Sequence, residues 1–397
     1  MCSVKQKSYR MNRAFNYSTY VSGKQFLGRT EDCNILSNLI SNGHHVALIA
    51  SPKSGKTSLI QAALMKIRIS GRQFMVGEFN ILSVRDTKAF LLRLGSTVMR
   101  AFAVSPDEYA ALAGKYLSDT HFVFDERAFQ NRDEVVSLSW DLDEGDIRAM
   151  LEFPYRIAYD KGIDLYLVME EFQSILHIGE SDRILRMMKE VMESHAREES
   201  PLQGKLTMIF SGSQFNAMTG IFYGSPYFFR LVERITPSQI SEKDIIDYLH
   251  KGFLMTGKDI EMTLLHGVCR LFRGHMWYIN HFAAICDSLS RGYLVESTLL
   301  EGLQNMISIH EARFTAIMHD LTTFQVSLLR AILDGNTRFS SSEIINGYHL
   351  NSSANVNRLK EALMKKEIIR FTDKDEPVVI DPLFEYWVRK YYFEIQD

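Results

Sequence analysis

Cysteine is scarce in this chain: Cys2, Cys33, Cys269 and Cys286 are the only four in 397 residues. No two of them stand in C-x-x-C spacing, and none sits among histidines at metal-ligand spacing. Neither a disulfide framework nor a zinc module is therefore expected, and the thiols read as buried or incidental. No apolar run approaches the roughly 18 residues that a bilayer-spanning helix needs. The first twenty residues are polar and basic, without the apolar stretch of a secretory signal. A cytoplasmic protein that does not engage a membrane is the expectation. An excess of charge is also missing: 45 Lys and Arg face 48 Asp and Glu, for a formal net charge of −3. That balance gives no reason to expect nucleic acid as an obligatory partner. The chain carries 46% hydrophobic and 23% charged residues, an ordinary globular composition. Its length points to two or three domains.

What the chain does have is a phosphate-binding signature. Residues 45–50 (H-V-A-L-I-A) form a short aliphatic run that reads as a strand buried on both faces. The loop Ser51, Pro52, Lys53, Ser54, Gly55, Lys56, Thr57 and Ser58 follows, and residues 58–67 then carry helical periodicity. Strand, tight loop and helix together are the context that a P-loop requires. Backbone N–H groups and the helix N-terminus can face a phosphate there, with the helix dipole favouring negative charge. Gly55 lets the backbone turn, Lys56 supplies a cation between the β- and γ-phosphates, and Thr57 offers a hydroxyl to Mg²⁺. Ala50 stands where the usual pattern opens with glycine.

A second apolar run, residues 164–169, ends at Glu170 and Glu171. Two acids at the C-terminal end of a strand suit a P-loop enzyme that hydrolyses a nucleoside triphosphate: one helps hold Mg²⁺ and the other orients the attacking water. Glu170 stands where aspartate is usual, and its extra methylene moves the carboxylate by about 1.5 Å. A third run, residues 206–210, leads into Ser211, Gly212, Ser213 and Gln214. Ser213 and Gln214 are candidate sensors of the γ-phosphate, while Ser211 can also be read as the cap of the next helix. Arg230 is either a guanidinium that stabilises γ-phosphate charge or a partner in a surface salt bridge. There is no N-K-x-D element of the kind that reads guanine.

These pieces, in this order, resemble the archaeal-type P-loop ATPases, relatives of the signalling and origin-recognition branches of the AAA+ group. The segment 26–31 (F-L-G-R-T-E) is similar to that family's F-x-G-R-x-x-E entry, and 51–59 to its S-P-R-R-x-G-K-T-S-L loop. In that loop form an aliphatic residue often precedes Ser-Pro, which accommodates Ala50. Residues 170–173 (E-E-F-Q) resemble D-E-F-Q with the first acid changed. Residues 274–278 (G-H-M-W-Y) resemble G-H-P-x-Y, and 381–387 (D-P-L-F-E-Y-W) resemble D-P-L-F-x-x-W. The resemblance implies ATP with Mg²⁺, and it places Phe26, Gly28 and Arg29 beside the adenine.

The implied fold is an α/β P-loop NTPase: a three-layer parallel sheet, then a small helical lid and a C-terminal winged helix. The expected division is residues 1–236 for the ATPase core, 237–311 for the lid and 312–397 for the winged helix. Within the core, residues 105–143 form an insertion, expected as a helix and a hairpin. Further expected elements are a strand at 74–81, a helix at 87–102 and an amphipathic helix at 183–199. The lid helices begin at Glu242 behind Ser241. In the winged helix, helices start near Phe324, Ser342 and Ser353, and wing strands run over 368–371 and 378–380. The third of these helices carries Asn355, Asn357, Arg358, Lys360, Lys365 and Lys366, residues able to face a DNA groove. Residues 311–397, however, hold 11 basic and 13 acidic side chains, and the wing tip is acidic. DNA binding wants a positive footprint, so a protein-contacting or autoregulatory role is favoured. The function expected is an ATP-binding and ATP-hydrolysing switch that couples nucleotide state to the lid and winged helix. The alternative is a hydrolysis-impaired, nucleotide-gated regulator that binds protein or DNA.

Overall fold

Five parallel strands carry the larger half of the structure, and their sequences explain their position. In the computed structural model, which describes residues 14–23, 26–131, 134–196 and 204–395, β1 is His45–Ile49 and β2 is Phe74–Asn80. The short β3 (Phe122–Phe124) and β4 (Val136–Leu138) pair only with each other, antiparallel. The sheet continues with β5 (Asp164–Glu170), β6 (Leu206–Gly212) and β7 (Val232–Ile235). Its order is β2-β5-β6-β1-β7, every pairing parallel. The central strands are buried almost throughout, as expected of aliphatic runs covered on both faces.

Helices such as Lys56–Ile69, Thr87–Phe102, Glu144–Lys161 and Ser181–His195 supply the covering layers. Ile184, Leu185, Met188, Val191 and Met192 of the last form its buried stripe; positions 197–199 of that expected helix lie outside the described residues. Between Phe102 and Glu144 the chain forms helices Pro106–Tyr116 and Glu126–Asn131 and the β3–β4 pair. The helix there begins at a capping box formed by Ser105 and Glu108. Phe172, Phe210, Phe222 and Phe228 interlock beneath the sheet's C-terminal edge, with ring centroids 4.5–6.2 Å apart.

The described chain divides into two compact units, Thr30–Ser238 and a second built from Gln239–Asp397 with the segment ending at Arg29. The leading segment joins the second unit because Phe15 fills the space beside Gly252 and packs on Phe253, while Tyr17 stacks on His281. Lid and winged helix lie together in this unit. Helix Glu296–His319, about 36 Å long at 1.5 Å per residue, passes without a break through the boundary expected at 311. Helices Thr323–Leu333, Ser342–Gly347 and Ser353–Lys365 follow, each with a hydroxyl N-cap at Thr322, Ser341 and Ser352. The wing is Ile369–Phe371 paired antiparallel with Pro377–Val379. Cys33, Cys269 and Cys286 are free and buried; burial raises Cys269 to about 11 and Cys286 to about 12, which keeps both thiols protonated. Cys2 lies outside the described residues. Among the described residues no helix is long and apolar enough to cross a membrane.

One buried group ties the sheet's stability to pH. His45, at the start of β1, accepts the Met208 N–H at Nδ1 (2.9 Å), so Nε2 holds the proton and donates to the Tyr155 hydroxyl at 3.3 Å. Burial, aided by the neighbouring His44, lowers its pKa from 6.5 to about 4. The unfolded chain therefore binds a proton at this site between pH 6.5 and 4 that the folded chain does not, and stability falls as pH drops through that window. Urea unfolding followed from pH 7 to 4 should show this loss, and His45→Leu, though weaker overall, should lose less across the same interval.

Candidate functional site

The sheet order decides which side chains can meet. Because β6 lies between β1 and β5, the residues following all three strands emerge side by side at the C-terminal edge. Ile49 is in register with Gly212, and Ser211 with Glu170. The loop after β1, the acids after β5 and the Ser213–Gln214 pair after β6 are thereby gathered at one place, with Ser213 between the other two.

The loop's backbone curls into a concave turn. Lys53 and Gly55 both have left-handed conformations, with φ of 57° and 90°, and the helix Lys56–Ile69 starts immediately after. Alternation of this kind points successive N–H groups inward and makes an anion cradle. Gly55 occupies the helix N-cap without a side-chain cap. Lys56 is almost wholly buried, and its ammonium donates to the carbonyls of Ala50 (3.0 Å) and Ser51 (2.8 Å). The loop's own carbonyls thus hold the cation within the concavity. Ser58, also buried, begins the apolar face with Leu59 and Ile60.

Across from it, the Thr57 hydroxyl donates to Glu170 Oε1 at 3.1 Å. The longer glutamate arm reaches Thr57 directly. Neighbouring ligands of an octahedral Mg²⁺ stand about 2.9 Å apart, given metal–oxygen distances near 2.1 Å, so this hydroxyl–carboxylate pair fits the shell of that ion. Glu78 of β2 adds negative charge: burial, and then the charge of Glu170, raise its pKa, while Gln61 donates to it at 3.3 Å. Glu78 and Gln61 were not among the expected site residues. A lone acid in the middle of β2 gives no sequence signal, because only the β2–β5 pairing brings it near Glu170.

Glu171 is held differently. Its φ is 55°, an uncommon conformation for a side chain with a Cβ, and its Oε2 accepts from Ser213 Oγ (2.5 Å) and Gln173 Nε2 (2.6 Å). Ser213 is thus in direct contact with the second acid, and Gln214 follows it as N-cap of helix Phe215–Thr219. Ser211 does not cap that helix. It lies inside β6 and is buried, because the strand runs two residues past its apolar core.

Arg230 is not brought to this edge. It precedes β7, whose Val232 pairs with His45 at the opposite end of β1, about 16 Å from the loop by strand rise. There it lies over the Phe229 ring and lines a cavity of about 510 Å³ with His45, Tyr155 and His195. The intrachain γ-phosphate role expected for Arg230 is corrected by this placement. The expected surface salt bridge is likewise not among the ion pairs described. Phe26, Gly28 and Arg29 belong to the second unit, where Gly28 (φ 60°) packs against Ile240.

The second unit also joins two separated motifs. The Tyr278 hydroxyl donates to Asp381 Oδ2 at 2.7 Å, and Arg313 reaches both, at 2.9 and 2.8 Å. Asp381 at the same time caps helix Pro382–Trp387. On helix Ser353–Lys365, the Asn355 amide bonds the Leu350 carbonyl, Lys360 sits over the Phe339 and Phe371 rings, and Lys366 pairs with Asp320. Half of the six expected groove-facing side chains are therefore engaged with the protein's own fold.

Solved structures share this fold. A Walker-type ATPase of Pyrococcus abyssi superposes with a TM-score of 0.64 at 15% identity, covering 95% of this chain and 99% of that one. The ORC2 protein of Aeropyrum pernix, in its ADPNP–ADP complexes, gives 0.54 at 12% identity, with 94% of each chain covered. The ADP form of that protein gives 0.51 at 11%, over 94% and 93%. The fold is that of the archaeal Walker-type and origin-recognition P-loop ATPases. Its C-terminal part, residues 312–390, matches the family model described as a probable winged helix domain. No curated protein sequence matches the chain.

The left-handed Gly55 carries the loop's turn, so a Cβ there strains it at a cost of about 1–2 kcal/mol. Titration of Gly55→Ala with a fluorescent ATP analogue should give an affinity roughly tenfold or more below that of the unmodified chain.

Proposed function

We propose that this protein is a Mg²⁺-dependent ATPase acting as a nucleotide switch in the cytoplasm, with Thr30–Ser238 as its core and the lid and winged helix of the second unit together as its output module. One arrangement supports the reading above all: Thr57, Glu170, Glu171 and Ser213, from three separate elements, meet through side-chain hydrogen bonds at one sheet edge. Structural acids usually find cations. Here hydroxyls and an amide hold the two carboxylates, leaving their charge available to a metal and a water.

In this reading the N–H groups from Lys53 to Ser58, with the hydroxyls of Ser51 and Ser54 nearby, bind the phosphates, and Lys56 exchanges its carbonyl partners for β- and γ-phosphate oxygens. Pro52 stiffens the loop's entry. Thr57 and Glu170 would hold Mg²⁺, which would supply positive charge to the phosphate oxygens. Glu171 orients the attacking water and accepts its proton, while Ser213 and Gln214 contact the γ-phosphate. Phe26, Gly28 and Arg29 contribute the adenine contacts implied by the resemblance. ATP and ADP differ in their contacts with Lys56 and Ser213, and this differential binding shifts the conformational population that the second unit transmits. The partner is a protein. The inward engagement of Asn355, Lys360 and Lys366 and the acidic wing tip (Asp373, Asp375, Glu376) argue against DNA.

Single-turnover phosphate release separates the ATPase from a nucleotide-gated binder without hydrolysis, the reading favoured by Glu170's added methylene. Lys56→Ala should lose ATP binding. Glu171→Gln should bind ATP normally and release phosphate roughly a hundredfold or more slowly. Equal slow rates for wild type and Glu171→Gln would sink the enzyme reading. If the longer acid detunes the metal, Glu170→Asp should raise turnover several-fold. Random duplex DNA at low salt should bind weakly and without a salt-dependent slope.

A further inference from the structure

Gln173 has a place in this site that the motif alone does not explain. It lies two residues beyond Glu171, in the short 3₁₀ turn Phe172–His177, and is only 2% exposed. A carboxylate cannot donate a hydrogen bond, so the amide nitrogen must face Glu171, and it does so at 2.6 Å. The amide oxygen is left buried with no hydrogen-bond partner. A fold optimising stability alone would satisfy both ends of a buried amide or replace it with an apolar side chain.

The surroundings also make room for this orientation. Gly212, at the end of β6, faces the amide: a Cβ built there would come within 2.6 Å of Gln173 Oε1 and 2.3 Å of Met218 Sδ. The glycine before Ser213 thus opens the space in which Gln173 lies. Ser213 bonds the same carboxylate oxygen of Glu171. Two donors from different elements therefore converge on Oε2 and restrain the carboxylate. Oε1 is the oxygen left to meet the water.

We propose that Gln173 is the positioning residue for Glu171: its amide holds the carboxylate at the angle from which Oε1 addresses the attacking water. Gln173 touches neither nucleotide nor water and acts only through Glu171. The inference rests on the ATPase reading, and its test uses the full-length protein with Gln173→Leu, Glu171→Ala and the double variant. Gln173→Leu should bind the fluorescent ATP analogue within about twofold of wild type. Its kcat should fall roughly 10- to 100-fold with little change in KM, the scale of loss expected from misplacing a reacting group. In the Glu171→Ala background the same replacement should cost no further activity, because the group it positions is gone. A structural role would instead lower stability and activity alike in both backgrounds.

Urea-unfolding midpoints of the same four proteins report on the contact without any turnover. Non-additive shifts support it. Additive shifts, unchanged kcat in Gln173→Leu, or an equal activity loss in the Glu171→Ala background would each overturn the assignment. If wild type binds ATP but does not hydrolyse it, the ATPase reading falls and the positioning role falls with it. The unfolding cycle would then still show whether the Gln173–Glu171 contact exists.

Discussion

Parallel strands share one direction, so every strand of the sheet ends at the same edge, and the register between neighbours decides what stands beside what. Ile49 opposite Gly212 and Ser211 opposite Glu170 align three strand ends to within one residue. A slip of one residue in β6 would turn its alternate side chains to the other face and carry Ser213 away from Glu171. The burial of Leu206, Met208 and Phe210 within the aromatic and aliphatic core resists that slip. The chemistry at the edge is held in place by apolar packing below it.

The edge itself is built from compromised local structure. Lys53 and Glu171 adopt positive φ, Lys56 is buried, and Gln173 leaves a carbonyl without a partner. Each feature costs stability. Their concentration within one small region, while the surrounding strands and helices are regular, marks the place where the fold gives up stability for a binding surface.

Much of this was legible in the chain. Aliphatic runs followed by glycine, hydroxyls and acids marked three of the five sheet strands and their functional ends, and the three helices of the winged domain were expected near where they begin. The residues that escaped are those whose role depends on pairing across the sheet. Glu78 gains its place only when β2 lies beside β5, and the short strand Val232–Ile235 carries too little pattern to announce itself. Arg230 was misplaced because residue type and position in the chain do not reveal which end of a strand a side chain flanks. The first residues of the chain were assigned to the core because a motif precedes the loop there, while Phe15 and Tyr17 pack with the second unit through aromatic contacts that no local periodicity reveals.

The helix Glu296–His319 makes lid and winged domain mechanically one piece. It holds Leu303, Met306 and Ile307 on the lid side of residue 311 and Phe314 and Met318 beyond it, all buried in a single apolar cluster. Cutting at the motif-based boundary would sever a helix in mid-turn and strand half of its buried face in water. A shortened version of this protein thus has no clean place to end between lid and wing, and evolution could exchange the output module only by carrying the helix along with it.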